Sequence, residues 1–146
     1  MEKDYMKKDF LEAGIEVCVP DKEDRDLVAK RIYEELEAGI VKESTLKELQ
    51  GIIAKMRDEK GIEADVIVGA KTKDMLILEK EMEAVSGNYY PCTDDGSYGH
   101  AGMVTSKIEA LVAEGNKYDL CVAIGPMIMM KNVCLLTKKV VHLQIN

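Results

Sequence analysis

Three short stretches of this 146-residue chain hold residue types that could meet a ligand. Lys71, Thr72 and Lys73 directly follow the apolar run Val66-Ile67-Val68-Gly69-Ala70. Ammonium groups at the C-terminal end of a strand stand where open α/β sheets bind ligands. Gly125-Pro126-Met127 closes a second apolar run and opens a helical one. Proline suits a first helical turn, and the free N–H groups of such an end attract anions. If an anion binds, Lys71, Lys73 and the Gly125-Pro126 turn are expected to converge on it. The third stretch, Asp94-Asp95-Gly96-Ser97-Tyr98-Gly99, is glycine-rich but acidic. Its carboxylates repel phosphate, and Gly96, Gly99 and Gly102 space as G-x-x-G-x-x-G rather than as the dinucleotide fingerprint G-x-G-x-x-G. The plain reading is a flexible loop with Asp94 or Asp95 capping a turn. The sharper one is a weak divalent-cation pair.

The other reactive groups are scattered. Cys18, Cys92, Cys121 and Cys134 form no C-x-x-C pair, and His100 lies far from His142, so no zinc spacing exists. Cys121 and Cys134 sit in apolar runs and are expected to be buried free thiols in a reducing compartment. His100 reads as a polar residue beside a helix start. His142 alternates with apolar neighbours and reads as the polar face of a strand.

Composition narrows the class. Hydrophobic residues make up 47% and charged residues 32%, ordinary for a folded domain, and one domain is expected over residues 1–146. A net charge of −7 with no basic stripe argues against nucleic acid as a partner. No apolar run approaches the ~20 residues of a membrane helix, so no membrane partner is expected. The N-terminal Met1-Glu2-Lys3-Asp4-Tyr5 lacks the apolar core of a signal peptide, and a cytoplasmic protein is expected.

The elements that must position these residues alternate as βα repeats. Strands are expected at Ile15–Val19, Asp65–Gly69, Asn88–Cys92, Asp119–Gly125 and Val140–Ile145. Asp119–Gly125 is almost continuously apolar, the pattern of a central strand covered on both faces. Helices are expected over about 3–13, from Asp21 to Gly39, from a capping box Thr45-Leu46-Lys47-Glu48 to Gly61, and over about 73–86, 100–115 and 127–138. The fold class is therefore α/β: a three-layer α/β/α sandwich on a five-stranded, mainly parallel sheet, Rossmann- or flavodoxin-like. Two helices between the first two strands are unusual for a βαβ crossover.

Two family resemblances meet near residue 64. Leu11-Glu12-Ala13-Gly14-Ile15-Glu16-Val17-Cys18-Val19-Pro20, with Ile32-Tyr33-Glu34-Glu35-Leu36-Glu37-Ala38-Gly39, resembles the amino-acid racemase superfamily that handles aspartate and glutamate. That resemblance implies a cofactor-free two-cysteine acid–base mechanism, but Ala70 stands where one of those cysteines would be. From Val66 onward the chain resembles the nucleotide-binding lobe of the ferredoxin–NADP reductase superfamily, in the branch of dihydroorotate dehydrogenase electron-transfer subunits and sulfide dehydrogenase. Val68-Gly69-Ala70-Lys71-Thr72-Lys73-Asp74-Met75-Leu76, Cys92-Thr93-Asp94-Asp95-Gly96-Ser97-Tyr98-Gly99-His100 and Ala123-Ile124-Gly125-Pro126-Met127-Ile128-Met129-Met130-Lys131 carry it. It implies a nicotinamide dinucleotide presented to a flavin. Gly125, Pro126 and Met127 would lie near the nicotinamide, and Ala70, Lys71, Thr72, Asp94, Asp95 and Gly96 along the ribose and phosphates. The family's pyrophosphate-cradling turn, flavin barrel and iron–sulfur cysteines have no counterpart here.

These readings lead to a specific expectation: an engineered or recombined chimeric domain, not an enzyme, with no evolved activity and no cofactor beyond weak NAD(P). The alternative is a vestigial NAD(P)- or ADP-binding module derived from a flavin-dependent oxidoreductase subunit. The candidate cofactor-binding residues are Lys71, Thr72, Gly125, Pro126 and Met127. Ile15–Val19 is expected either to fill a central gap in the sheet or to form an edge that supports a homodimer.

Overall fold

The computed structural model describes residues 4–12, 14 and 16–140. The chain divides into two compact units, Met1–Asp65 with Leu78–Asn88, and Val66–Ile77 with Tyr89–Asn146.

The first unit is helical: α1 (Asp4–Glu12), α2 (Lys22–Glu34), α3 (Glu43–Lys60) and α4 (Glu79–Val85). Asp21 starts α2 as an N-cap, its carboxylate accepting from the Asp24 N–H at 3.0 Å. Lys55 of α3 reaches back to pair with both Asp21 and Asp24. After α2 a 3₁₀ turn, Leu36–Ala38, ends at Gly39 in the left-handed region. The expected capping box at Thr45 is not formed, because α3 already begins at Glu43. The Thr45 hydroxyl instead donates to Glu35 at 2.6 Å, and Glu48 takes a two-pronged contact from Arg31 at 2.7 and 2.9 Å. Glu35 is 3% exposed and also accepts from Arg31 at 2.9 Å and Lys42 at 3.2 Å. A buried carboxylate is tolerated only when its oxygens are filled in this way.

The second unit holds the sheet. Strands β1 (Val66–Ala70), β2 (Tyr89–Thr93) and β3 (His100–Ala101) are parallel, in the order β1-β2-β3. The register places Val66 beside Tyr89, Ala70 beside Thr93, and Cys92 beside His100. Helix α5 (Val104–Ala113) packs on β1 and on α6 (Met127–Val140). Cys92, Leu111 and Val133 form the buried apolar centre. Gly69 lets α5 approach, since a Cβ there would stand 2.6 Å from a Val104 methyl.

The expected five-stranded, three-layer sheet is not formed. Among the described residues the sheet has three strands. Residues 16–19 adopt no strand, so they neither fill a central gap nor present a sheet edge; Ile15 lies outside the described residues. Residues 119–125 also form no strand, and Val122 and Ile124 are 74% and 88% exposed. Apolar composition alone could not supply the neighbouring strand such a run needs. Val140 ends α6, and the rest of the expected strand Val140–Ile145, with His142, lies outside the described residues. The helix expected over 73–86 is split into a 3₁₀ turn, Lys73–Met75, and α4, while His100 belongs to β3 rather than to a helix.

Two outcomes test this account. Thr45, then Lys42 and Arg31, hold the Glu35 carboxyl below its ordinary value of 4.5. A depressed folded pKa gives stability that is whole above the unfolded value and is lost as pH falls through the folded one. Between about pH 6 and about pH 3, chemical denaturation should show a larger stability loss for the wild type than for Glu35→Gln; equal losses would contradict it. Leu78, the residue before α4, holds φ 55°, a left-handed conformation that strains a side chain. Leu78→Gly should raise stability by about 1 kcal/mol in thermal melts, provided its 43%-exposed side chain contributes little packing.

Candidate functional site

The loops that follow β1 and β2 are laced together at the C-terminal ends of those strands. The Asp94 and Asp95 N–H groups donate to the carbonyls of Ala70 and Lys71 at 3.0 and 3.2 Å, continuing the parallel ladder past the strands. The Lys73 N–H donates to the Ser97 hydroxyl oxygen at 2.9 Å, and its ammonium lies 4.7 Å from the Tyr98 ring centre. Lys71, Lys73, Asp94 and Asp95 are exposed around this junction, and Thr72 is half-buried.

Thr93 sets the shape of the second loop. It is wholly buried, and its hydroxyl both donates to the Tyr98 carbonyl at 2.7 Å and accepts from the Tyr98 N–H at 3.0 Å. Its own carbonyl accepts from Gly96 at 3.1 Å and Gly102 at 2.9 Å. Gly99 completes the turn at φ 65°, where a Cβ would fall 2.1 Å from the Pro91 carbonyl oxygen. Only glycine fits there. Asp95 accepts from both the N–H and the hydroxyl of Ser97, at 3.0 and 2.6 Å. Those bonds, the hydroxyl's first, hold the Asp95 carboxyl below its usual range, so it stays anionic. It is the turn-capping aspartate of the pair expected from sequence. Among the described residues no group of three His, Cys, Asp or Glu side chains is placed to hold a metal ion.

Lys71, Thr72 and Lys73 thus meet Asp94–Tyr98. Gly125, Pro126 and Met127 stand at the start of α6, all three exposed, with Met127 82% so. No hydrogen bond or ion pair among the described residues links them to Lys71–Lys73.

His100 and Ser106 form a contact that the sequence pattern did not single out. The His100 Nε2 lies 2.8 Å from the Ser106 Oγ, while the Ser106 hydroxyl donates to the Met103 carbonyl at 2.7 Å. The Ser106 hydroxyl has one proton for these two neighbours, so the direction of the His100 contact follows the tautomer of the imidazole. The cysteines also differ from expectation. Cys92 is buried, whereas Cys121 and Cys134 are exposed free thiols, because the apolar runs that carry them are not covered. Burial pushes the Cys92 thiol up, against a weaker opposing effect of Lys107.

Comparison with known proteins favours the second resemblance. No family model matches the chain. An uncharacterized protein in the adh 3′ region of Clostridium beijerinckii is 46% identical over 86 residues, 58% of this chain and 29% of that protein. The dihydroorotate dehydrogenase B (NAD(+)) electron transfer subunit homolog of Thermotoga maritima is 44% identical over 79 residues, 54% of this chain and 27% of that protein. The corresponding electron transfer subunit of Geobacillus thermodenitrificans is 39% identical over 79 residues, 54% of this chain and 29% of that protein. About half of the chain is thus related to electron-transfer subunits of an oxidoreductase. The chain spans less than a third of the length of these relatives. They lend no support to the racemase resemblance or to a spliced or engineered origin. Among the described residues no helix is long and apolar enough to cross a membrane.

Thr93→Val keeps the shape of the side chain but leaves the Tyr98 N–H and carbonyl without their partner. The expected cost is about 1–3 kcal/mol in chemical denaturation, with faster amide exchange at Tyr98. An unchanged exchange rate would remove Thr93 from its role in holding the loop.

Proposed function

We propose that the chain is a nucleotide-binding module of electron-transfer-subunit type, acting with a partner subunit that holds the flavin. The similarity to dihydroorotate dehydrogenase B electron transfer subunits, 44% identity over 79 residues for one of them, carries this reading.

The residues fit a nucleotide in part. Asp94 and Asp95 offer carboxylates suited to ribose hydroxyls, beside the exposed ammonium of Lys71 for a phosphate. Thr72 lies next to it, and the opening turn of α6 offers the backbone N–H groups of Gly125, Met127 and Ile128, Pro126 having none. The acidic pair opposes a pyrophosphate, so affinity should be weak and should favour compounds with a free ribose. A bound nicotinamide would supply the hydride. The protein's own part is to hold and orient it, with no turnover by this chain alone.

An NMR titration of the labelled chain with NADH, NADPH, FAD and ADP tests the proposal. The expected result is saturable shifts at Gly69–Lys73 and Asp94–Tyr98, extending to Gly125–Met130, and lost in Lys71→Glu. Flat spectra with all four ligands on a folded protein would overturn it.

A further inference from the structure

We propose that Asp95-Gly96 is a modification site, an aspartyl-to-isoaspartyl isomerisation that the folded loop holds in check through the Ser97 hydroxyl. It is the one Asp-Gly pair in the chain, and no Asn-Gly pair occurs. Glycine sets no side chain between its own nitrogen and the preceding carboxyl, so this pair can cyclise with little steric hindrance. Asp95, Gly96 and Ser97 are all exposed, so water reaches the bond. In the reaction the Gly96 nitrogen attacks the side-chain carboxyl carbon of Asp95. The amide proton and the carboxyl O–H group leave as water, and a succinimide ring forms. Water then opens the ring. Opening at the main-chain carbonyl leaves the chain running through the Asp95 side chain, one methylene longer, with no net change in composition. No oxidant, reductant or cofactor is needed.

The loop opposes each part of this reaction. The Gly96 N–H donates to the Thr93 carbonyl at 3.1 Å, which keeps the attacking nitrogen in the turn. The Asp95 carboxylate is turned forward onto Ser97, accepting from its N–H at 3.0 Å and from its hydroxyl at 2.6 Å. The Ser97 hydroxyl oxygen accepts from the Lys73 N–H at 2.9 Å, which leaves its single proton for Asp95. Ring closure proceeds from the neutral acid, because a carboxylate has no good leaving group. Hydrogen bonds donated to the anion favour the anion, and so oppose the reactive form. Loss of the Ser97 hydroxyl removes the shorter of the two bonds and frees the carboxyl to turn toward Gly96. Isomerisation itself would lengthen the loop just past the point where the Asp95 N–H meets the Lys71 carbonyl.

Isoaspartate formed in the full chain at neutral pH tests the proposal. It is counted by methyl transfer from S-adenosylmethionine with an isoaspartyl methyltransferase, and located by peptide mass spectrometry. In the folded wild type it should accumulate at Asp95, and more slowly than in the same chain held in urea. Ser97→Ala should raise the folded rate roughly fivefold or more, the effect of one hydrogen bond. Ser97→Thr keeps the hydroxyl and should stay near the wild-type rate. Asp95→Glu should abolish the signal, since its longer side chain does not close the same ring. Circular dichroism identifies a variant that has lost its fold. If Ser97→Ala is one, the folded wild type, the wild type in urea and Ser97→Thr decide between them. Isoaspartate at another residue in place of Asp95, or a folded wild type as fast as the denatured chain, would overturn the proposal. So would a folded Ser97→Ala no faster than the wild type, or a folded Ser97→Thr as fast as the denatured chain.

Discussion

The candidate site depends on one constraint: β3 runs parallel to β2 although only Asp94–Gly99 separate them. Parallel neighbours ordinarily need a crossover of about a dozen residues or more. Here the chain must make a full turn within the loop, and Thr93 makes that turn hold. Its buried hydroxyl takes both polar groups of Tyr98, and its carbonyl takes Gly96 and Gly102. The loop therefore closes on its own residues. Asp94 and Asp95 are then carried to the end of β1, where their N–H groups extend the ladder to Ala70 and Lys71. The neighbourhood of Lys71–Lys73 follows from a threonine that is itself wholly buried.

The helical unit has an analogous centre. Glu35 accepts from a residue of α2, from Lys42 and from Thr45 near the start of α3, so one carboxylate ties a helix, a turn and the next helix. Removing a buried charge from water is costly, and three donors with two cations offset that cost. The Arg31 fork onto Glu48 orients the same guanidinium that reaches Glu35.

Much of this was legible in the sequence wherever the signal is local. The strands at Val66–Ala70 and Tyr89–Thr93 fall within one residue of their expected bounds, and Asp21 and Gly61 flank helices as their types predict. The loop at Asp94–Gly99 was legible as glycine-rich and turn-capped, but not as the link between two parallel strands. Thr93 could not be singled out, because its importance lies in burial and in a partner five residues away. Thr45 misled for a related reason. Ser/Thr-x-x-Glu is a capping signal only if nothing competes for the hydroxyl, and Glu35, ten residues earlier, does.

Asp119–Gly125 shows where pattern reading ends. Helices and hydrogen-bonded loops are closed by residues near in sequence, so their signals travel with a short segment. A strand is closed by its neighbours, and an apolar run states only that it would suit a covered position. With residues 16–19 forming no strand, the neighbour that would satisfy Leu120–Ile124 is not found among the described residues. Hence Ile124 is 88% exposed although its composition fits an interior. The same distinction separates the two parts of the candidate site. Lys71–Lys73 and Asp94–Tyr98 are assembled because their contacts are made between loops of adjacent strands. Gly125–Met127 follows a segment that forms no strand among the described residues, so the α6 turn is placed by the packing of α6 on α5 and not by a sheet ladder.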